Sequence, residues 1–225
     1  YRGGCAINCR YCFRRHFPYQ ENTLTAREVD GLVGYLEAHP EVNEVILSGG
    51  DPLMADDQAL SSLFVRLESV SSIHRLRIHT RLPIVIPERV TDLLCQAIAA
   101  TALPVVMVLH SNHANEIDQS VMDAVSQLRV VCRSVLNQSV ILKGINDSAD
   151  VLIALSERLF EAGIDPYYLN VLDRVSGAHH FDVSDLEVAA LHQALLNALP
   201  GYLVPKLVRE VPGIGHKVQW KGTTH

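Results

Sequence analysis

The chain has 225 residues, 48% of them hydrophobic and 20% charged, which is enough apolar material for the sizeable core of one domain. Its formal net charge of -6 excludes a general nucleic-acid binder, because phosphate contacts need a clustered positive field. No apolar run reaches the roughly 20 residues of a membrane helix and no leader pattern opens the chain, so no membrane association and a cytoplasmic setting are expected.

The first distinctive stretch is "CAINCRYCF" at residues 5–13, with three cysteines. It follows almost at once on Tyr1, without a starting Met, so the sequence reads as truncated at its N-terminus. Beyond it, helix-like and strand-like segments alternate. "TAREVDGLVGYLEAHP" carries apolar residues at helical spacing behind a Thr cap, and "NEVILSGG" is a short β-branched run ending in glycines. In chain order there follow the helix "ADDQALSSLFVRLESV", the strand "HRLRIHTRLP", the helix "PERVTDLLCQAIAA" and the strand "LPVVMVLHSNH". The helix "EIDQSVMDAVSQLR", the strand "VVCRSVLNQSV", the helix "SADVLIALSERLFEAG" and the strand "IDPYYLNVLD" complete the pattern. Strands joined by crossover helices are parallel, which leaves a doubly wound sheet or a barrel of the triosephosphate-isomerase kind. Either places ligands at the C-terminal ends of the strands. Ser48-Gly49-Gly50-Asp51, His79 to Arg81, His110 to Asn115, Asn137-Gln138 and Asp173 are expected there.

Five cysteines, an odd number, do not form a disulfide framework, and a reducing compartment favours metal or redox chemistry for the clustered three. Thiolates from Cys5, Cys9 and Cys12 holding four irons and four sulfides would leave one iron open to an external molecule. A structural zinc site built from the same cysteines and His16 is the competing reading, and it would make the protein a non-enzymatic binding module. Gly49 and Gly50 suit a close approach of backbone to ligand, since neither has a Cβ. Cys95, on an amphipathic helix, and Cys132, in an apolar run, read as core residues.

The spacing C-x3-C-x2-C followed by an aromatic resembles the signature of the radical S-adenosylmethionine (SAM) enzymes, and "LSGGDP" resembles the glycine pair that meets their cofactor. Seven segments together, "CRYCFRRHFPYQEN", "SGGDPLM", "TRLPIVIPERV", "HSNHANE", "LNQSVILKGIND", "PYYLNVLD" and "GYLVPKLVREVPGIGHK", resemble the lysine 2,3-aminomutase family. The branch they are most similar to makes β-lysine for attachment to elongation factor P.

The resemblance implies an α/β fold, a partial (βα)6 barrel of the radical SAM type without its N-terminal segment and first strand, over residues 1–200. Residues 201–225 would form a C-terminal segment carrying a cofactor lysine. The implied cofactors are a [4Fe-4S] cluster on Cys5, Cys9 and Cys12, SAM, and pyridoxal 5'-phosphate (PLP) on Lys217, which ends "PGIGHK". Ile214 and His216 interrupt a run that is richer in glycine in the family. Gly49, Gly50, Asp51 and Gln138 are implied beside SAM or PLP, and "HSNHANE" lines the same pocket, which argues against an independent metal triad of His110, His113 and Glu116. Arg14 would pair with the substrate carboxylate, a geometry its guanidinium fork suits. Asp173 and Glu210 would hold the distant ammonium of lysine, with Glu210 standing where better-known members have aspartate. His180 matches the family's "HF", and His179 beside it belongs to the same neighbourhood. The implied reaction moves the amino group of L-lysine from the α to the β carbon, with an alternative substrate of arginine or glutamate. Expected partners are an electron donor such as flavodoxin or ferredoxin, the ligase pathway that modifies elongation factor P, and a second copy of the chain.

Overall fold

The computed structural model describes residues 4–12, 25–211 and 213–220, which fall into two compact units. The first comprises residues 4–7, 25–109 and 120–135, and the second residues 8–12, 110–119, 136–211 and 213–220.

In the first unit, helix α1 (Ala26–Ala38) starts at a capping box in which the Thr25 hydroxyl accepts from the Glu28 N–H while the Glu28 carboxylate accepts from the Thr25 N–H. Strand β1 (Glu44–Leu47), helix α2 (Asp57–Glu68), strand β2 (Arg75–Thr80), the short helix α3 (Leu82–Val85), helix α4 (Asp92–Ala100), strand β3 (Val105–Leu109) and helix α5 (Gln119–Val131) follow. The strands β1, β2 and β3 pair in parallel and in chain order, with Leu76 opposite Val105 and Val45 opposite Leu76. Buried Leu60, Leu63, Phe64 and Leu67 form one face of α2 at the i, i+3, i+4, i+7 spacing that a helix needs to cover a sheet. Along β2, Leu76, Ile78 and Thr80 are buried while their neighbours are not, the period-2 signature of a strand.

The second unit takes up the end of strand β4 (Ser134–Val140), helix α6 (Ala149–Glu161), strand β5 (Asp165–Asn170), helix α7 (Asp185–Ala198), strand β6 (Lys206–Arg209) and strand β7 (Val218–Gln219). From β4 to β6 the strands are again parallel, with a register shift at Asn137/Gln138, whereas β7 runs antiparallel to β6. The core gathers Leu152 of α6, Val188 and Leu195 of α7, and Leu169 and Leu207 of the strands.

Two predicted strands have limits other than those expected. "VVCRSVLNQSV" begins as the last turn of α5 and becomes a strand at Ser134, because the helical stripe of Val121, Ala124, Val125 and Leu128 carries the helix on to Val131. "HRLRIHTRLP" stops at Thr80, where Pro83 near the start of α3 fits the first turn of a helix better than the middle of a strand. Asn137 and Gln138 lie inside β4, not beyond its end. Among the described residues no helix is long and apolar enough to cross a membrane.

Candidate functional site

In the first unit the glycine turn follows β1 directly. Gly49 has φ 115°, in the region that favours glycine, and Gly50 is buried. Asp51 is also buried, and its carboxylate is engaged within the protein. One oxygen accepts from the Leu53 N–H at 3.0 Å and the Thr80 hydroxyl at 2.6 Å; the other accepts from the N–H groups of Arg81 at 2.8 Å and Leu82 at 3.2 Å. Its own N–H donates to the Gly4 carbonyl at 2.9 Å, tying the turn to the residue before Cys5. Asp51 thus holds the shape of the Gly49-Gly50 turn against the end of β2. Asp51→Ala leaves several buried donors unmatched and is expected to cost about 3 kcal/mol of stability, read as a lower urea midpoint at unchanged slope.

None of the three motif cysteines is in a disulfide; Cys5 is exposed, and Cys9 and Cys12 are half-buried. In the second unit the Cys12 N–H donates to the Cys9 carbonyl at 3.0 Å, a tight turn that keeps the two side chains on one short loop. Arg10 inside that turn lies 3.3 Å from the His180 ring nitrogen and 5.3 Å from the centre of the Phe181 ring. Among the described residues no three His, Cys, Asp or Glu side chains are drawn together as a preformed metal site. Arg14 and His16 lie outside the described residues. The His110, His113 and Glu116 segment serves its own loop. Glu116 accepts from the N–H groups of Asn112 at 2.7 Å and His113 at 3.1 Å, and His113 Nδ1 accepts from the Asn115 N–H. The nitrogens Gln138 Nε2 and His110 Nε2 meet at 2.9 Å, so these two residues from β4 and the loop after β3 share one place.

Lys217 lies just before β7, and its Nζ donates to Glu210 Oε1 at 2.8 Å and Asn170 Oδ1 at 2.9 Å, with the Tyr168 ring centre 5.7 Å away. The Asn170 amide is oriented by a bond from its own nitrogen to the Ser139 carbonyl at 2.9 Å, which turns its oxygen to the ammonium. Sequence reasoning did not find Asn170; its one signal is a polar residue closing the strand "YYLN". Beside this cradle a cleft of about 710 Å³ is lined by Asp173, Arg209, Glu210, Val211, Gly213 and Ile214. Gly213 has φ 83°, so the loop between β6 and Lys217 keeps a glycine where its backbone requires one, despite the interruptions at Ile214 and His216.

Burial holds the Asp173 carboxyl above the ordinary value of 3.8, the Glu210 charge raises it further, and Lys217 and Arg209 oppose both. The folded chain therefore binds this proton more tightly than the unfolded chain. The stability from that proton is full below 3.8 and is lost as pH rises through the raised folded value. Asp173→Asn is expected to be more stable than the parent at neutral pH, and urea titrations should find the difference closing as pH falls towards 3.8.

The profile of the Radical SAM superfamily matches residues 2–156. A Haemophilus influenzae protein named L-lysine 2,3-aminomutase is 53% identical over 216 residues, covering 96% of this chain and 64% of its own length. An Escherichia coli protein of the same name is also 53% identical, over 94% of this chain and 62% of its own. A Clostridium subterminale protein of that name is 32% identical, over 95% and 51%. The chain thus spans less than two thirds of the relatives it matches. Among solved structures, Streptococcus suis SuiB bound to S-adenosylmethionine superposes with a TM-score of 0.66 at 15% identity, covering 93% of this chain and 49% of its own. A radical SAM methyltransferase from Sphaerobacter thermophilus gives 0.60 at 17% identity, over 92% and 63%. At these identities the likeness is one of fold, and the strand-helix alternation of this chain is the α/β fold of radical SAM enzymes.

Proposed function

This chain belongs to the radical SAM superfamily, and from that premise we propose that it is the barrel part of a lysine 2,3-aminomutase, an isomerase that moves the amino group of L-lysine from the α to the β carbon. The observation that carries the reading is the meeting of Lys217 and Glu210 beside the cleft that Asp173 lines, in a chain 53% identical to proteins of that name. An amine and two carboxylates at one cleft suit a cofactor aldehyde and a cationic amino acid, and they do not suit glutamate.

The donor set fits the cofactors. Cys5, Cys9 and Cys12 stand within eight residues, none in a disulfide, and would hold three irons of a [4Fe-4S] cluster. Such a cluster would leave one iron for SAM and would supply radical chemistry at the substrate. Lys217 would hold PLP, whose aldehyde would supply an imine to the substrate amine.

The protein's own contribution is positioning and charge. Gly49 and Gly50 leave the turn after β1 without side chains, and Asp51 keeps that turn in place. Asn170 and Glu210 hold the Lys217 amine at a fixed point. With PLP bound, the Lys217 nitrogen would be engaged by the cofactor, and Glu210 with Asp173 would be free to face the side-chain ammonium of lysine. Arg14 takes the substrate carboxylate, and Gln138 with His110 belongs to the same cofactor pocket. The resemblance of the seven segments to the elongation factor P branch supports a cytoplasmic enzyme that draws electrons from flavodoxin or ferredoxin and passes its product to the ligase acting on that factor.

The test is anaerobic reconstitution of the full-length protein with iron, sulfide and PLP, followed by incubation with SAM, a reductant and L-lysine. About four irons per chain, a pyridoxal absorbance and chromatographic appearance of β-lysine are expected. Zinc uptake in place of iron, or turnover of arginine with none of lysine, would sink the proposal.

A further inference from the structure

The turn that carries Cys9 and Cys12 is anchored through Tyr11, which stands between them. Its hydroxyl accepts from Asn112 Nδ2 at 2.7 Å, and its ring packs against Leu142, Leu172 and Phe181. Asn112 has no freedom to move away. Its side-chain oxygen accepts from the Val140 N–H at 2.8 Å, its own N–H donates to Glu116, and its carbonyl accepts from Asn146 Nδ2 at 2.9 Å.

Asn146 in turn accepts from the Leu142 N–H at 2.7 Å and donates to the Val140 carbonyl at 2.9 Å. On the other side of Asn112, the Ser111 backbone is held by Asn137 at 2.8 and 3.0 Å and by the Ser139 hydroxyl at 2.8 Å. Asn112, Asn137, Ser139 and Asn146 are 4%, 1%, 4% and 0% exposed. Four nearly water-free polar side chains, each bonded, make a rigid frame, because an unmet buried polar group costs far more than a met one gains. The amide of Asn112 is the part of that frame that reaches the cysteine turn, across 101 positions of chain. Arg10, the neighbouring residue of the turn, is exposed, and its contact with His180 is correspondingly weak.

We propose that Asn112 is a positioning residue for the iron-sulfur cluster, acting through the Tyr11 hydroxyl to hold Cys9 and Cys12 at the place where their thiolates meet iron. It rests on the cluster reading given above and adds to it a residue outside the cysteine motif. A hydroxyl bond inside the four-residue turn from Cys9 to Cys12 restrains both cysteines at once. Its loss frees the turn without removing a ligand, so the consequence is faster opening of the cluster site, with the same iron capacity.

The experiment compares the reconstituted full-length protein with its Tyr11→Phe and Asn112→Ala variants under anaerobic conditions. Iron release to a strong chelator is followed by absorbance, and the midpoint potential of the cluster is measured alongside. Tyr11→Phe keeps the ring and its packing and loses one bond to Asn112, so its urea midpoint without iron should fall only modestly, with an unchanged slope. Its iron release is expected to be about fivefold faster, the effect of one neutral hydrogen bond. The double variant should release iron no faster than Asn112→Ala alone, because both changes break the same link. Iron release from Tyr11→Phe at the parent rate overturns the proposal, whatever the folding of Asn112→Ala. If the parent itself takes up no iron, the cluster reading falls and this assignment falls with it, an outcome distinct from equal rates in two loaded proteins.

Discussion

Lys217→Ala is expected to lose the pyridoxal absorbance and to lower lysine turnover by about three orders of magnitude or more, the scale found when a group that bonds covalently to cofactor or substrate is removed. Iron content should not change, since Lys217 is not one of the three thiolate ligands and its amine is engaged by Glu210 and Asn170. Folding should hold as well. The amine is linked to Glu210 and Asn170 at a place where its side chain is a quarter exposed and that of Glu210 about half exposed, and an exposed ion pair contributes little. A spectrum in which the pyridoxal band survives Lys217→Ala would move the cofactor to one of the remaining lysines, Lys143, Lys206 or Lys221, and would remove the reason for reading Asn170 and Glu210 as its cradle. Borohydride reduction followed by peptide mass analysis identifies the modified lysine directly.

The parts of this architecture that were legible in the sequence are those governed by short-range patterning. The stripe of Leu60, Leu63, Phe64 and Leu67 and the matching one of Leu152, Leu155, Ser156 and Leu159 announce helices before any contact is known. Helix α7 was not seen because Leu186 and Leu196 stand exposed among its polar residues, so its apolar stripe is blurred. Strand β6 has four residues and β7 two, too few for a period to register. At the site the same division holds. The cysteine spacing and the glycine pair are contiguous motifs, and Lys217 was implied by the likeness of "PGIGHK" to the family's proline, glycine-run, lysine pattern. Asn170 could not be found that way, and for Asn112, inside the expected His110 to Asn115 stretch, the bond to Tyr11 could not. Each matters through a partner 47 or 101 positions distant, and an asparagine at a strand end or in a loop is otherwise an ordinary turn residue. Asp51 was legible as part of a ligand-facing turn, whereas its engagement with Thr80, Arg81 and Leu82 depends on β2 lying next to β1.

Cys12→Ala should reduce reconstituted iron from about four atoms per chain to a small remainder and abolish turnover while the pyridoxal absorbance persists. Two thiolates leave two irons of the cluster without a protein ligand, and the loss is one of chemistry, because the half-buried Cys12 side chain is not part of the buried core. Cys132→Ala provides the contrast. Burial, with a smaller effect from Cys95, pushes the Cys132 thiol up to about 12, so at neutral pH it stays protonated and cannot replace a missing ligand, since thiolate is the form that binds metal. Cys95 is raised in the same direction by burial and by the charges of Asp92 and Asp57. Neither of these cysteines can therefore rescue the Cys12 variant, and Cys132→Ala should reconstitute with full iron. Iron analysis of the two variants side by side decides whether the ligands are the three cysteines of the opening motif. Equal iron in both would show that cysteine burial, not motif position, had been misjudged, and a full complement in Cys12→Ala would remove that residue from the cluster.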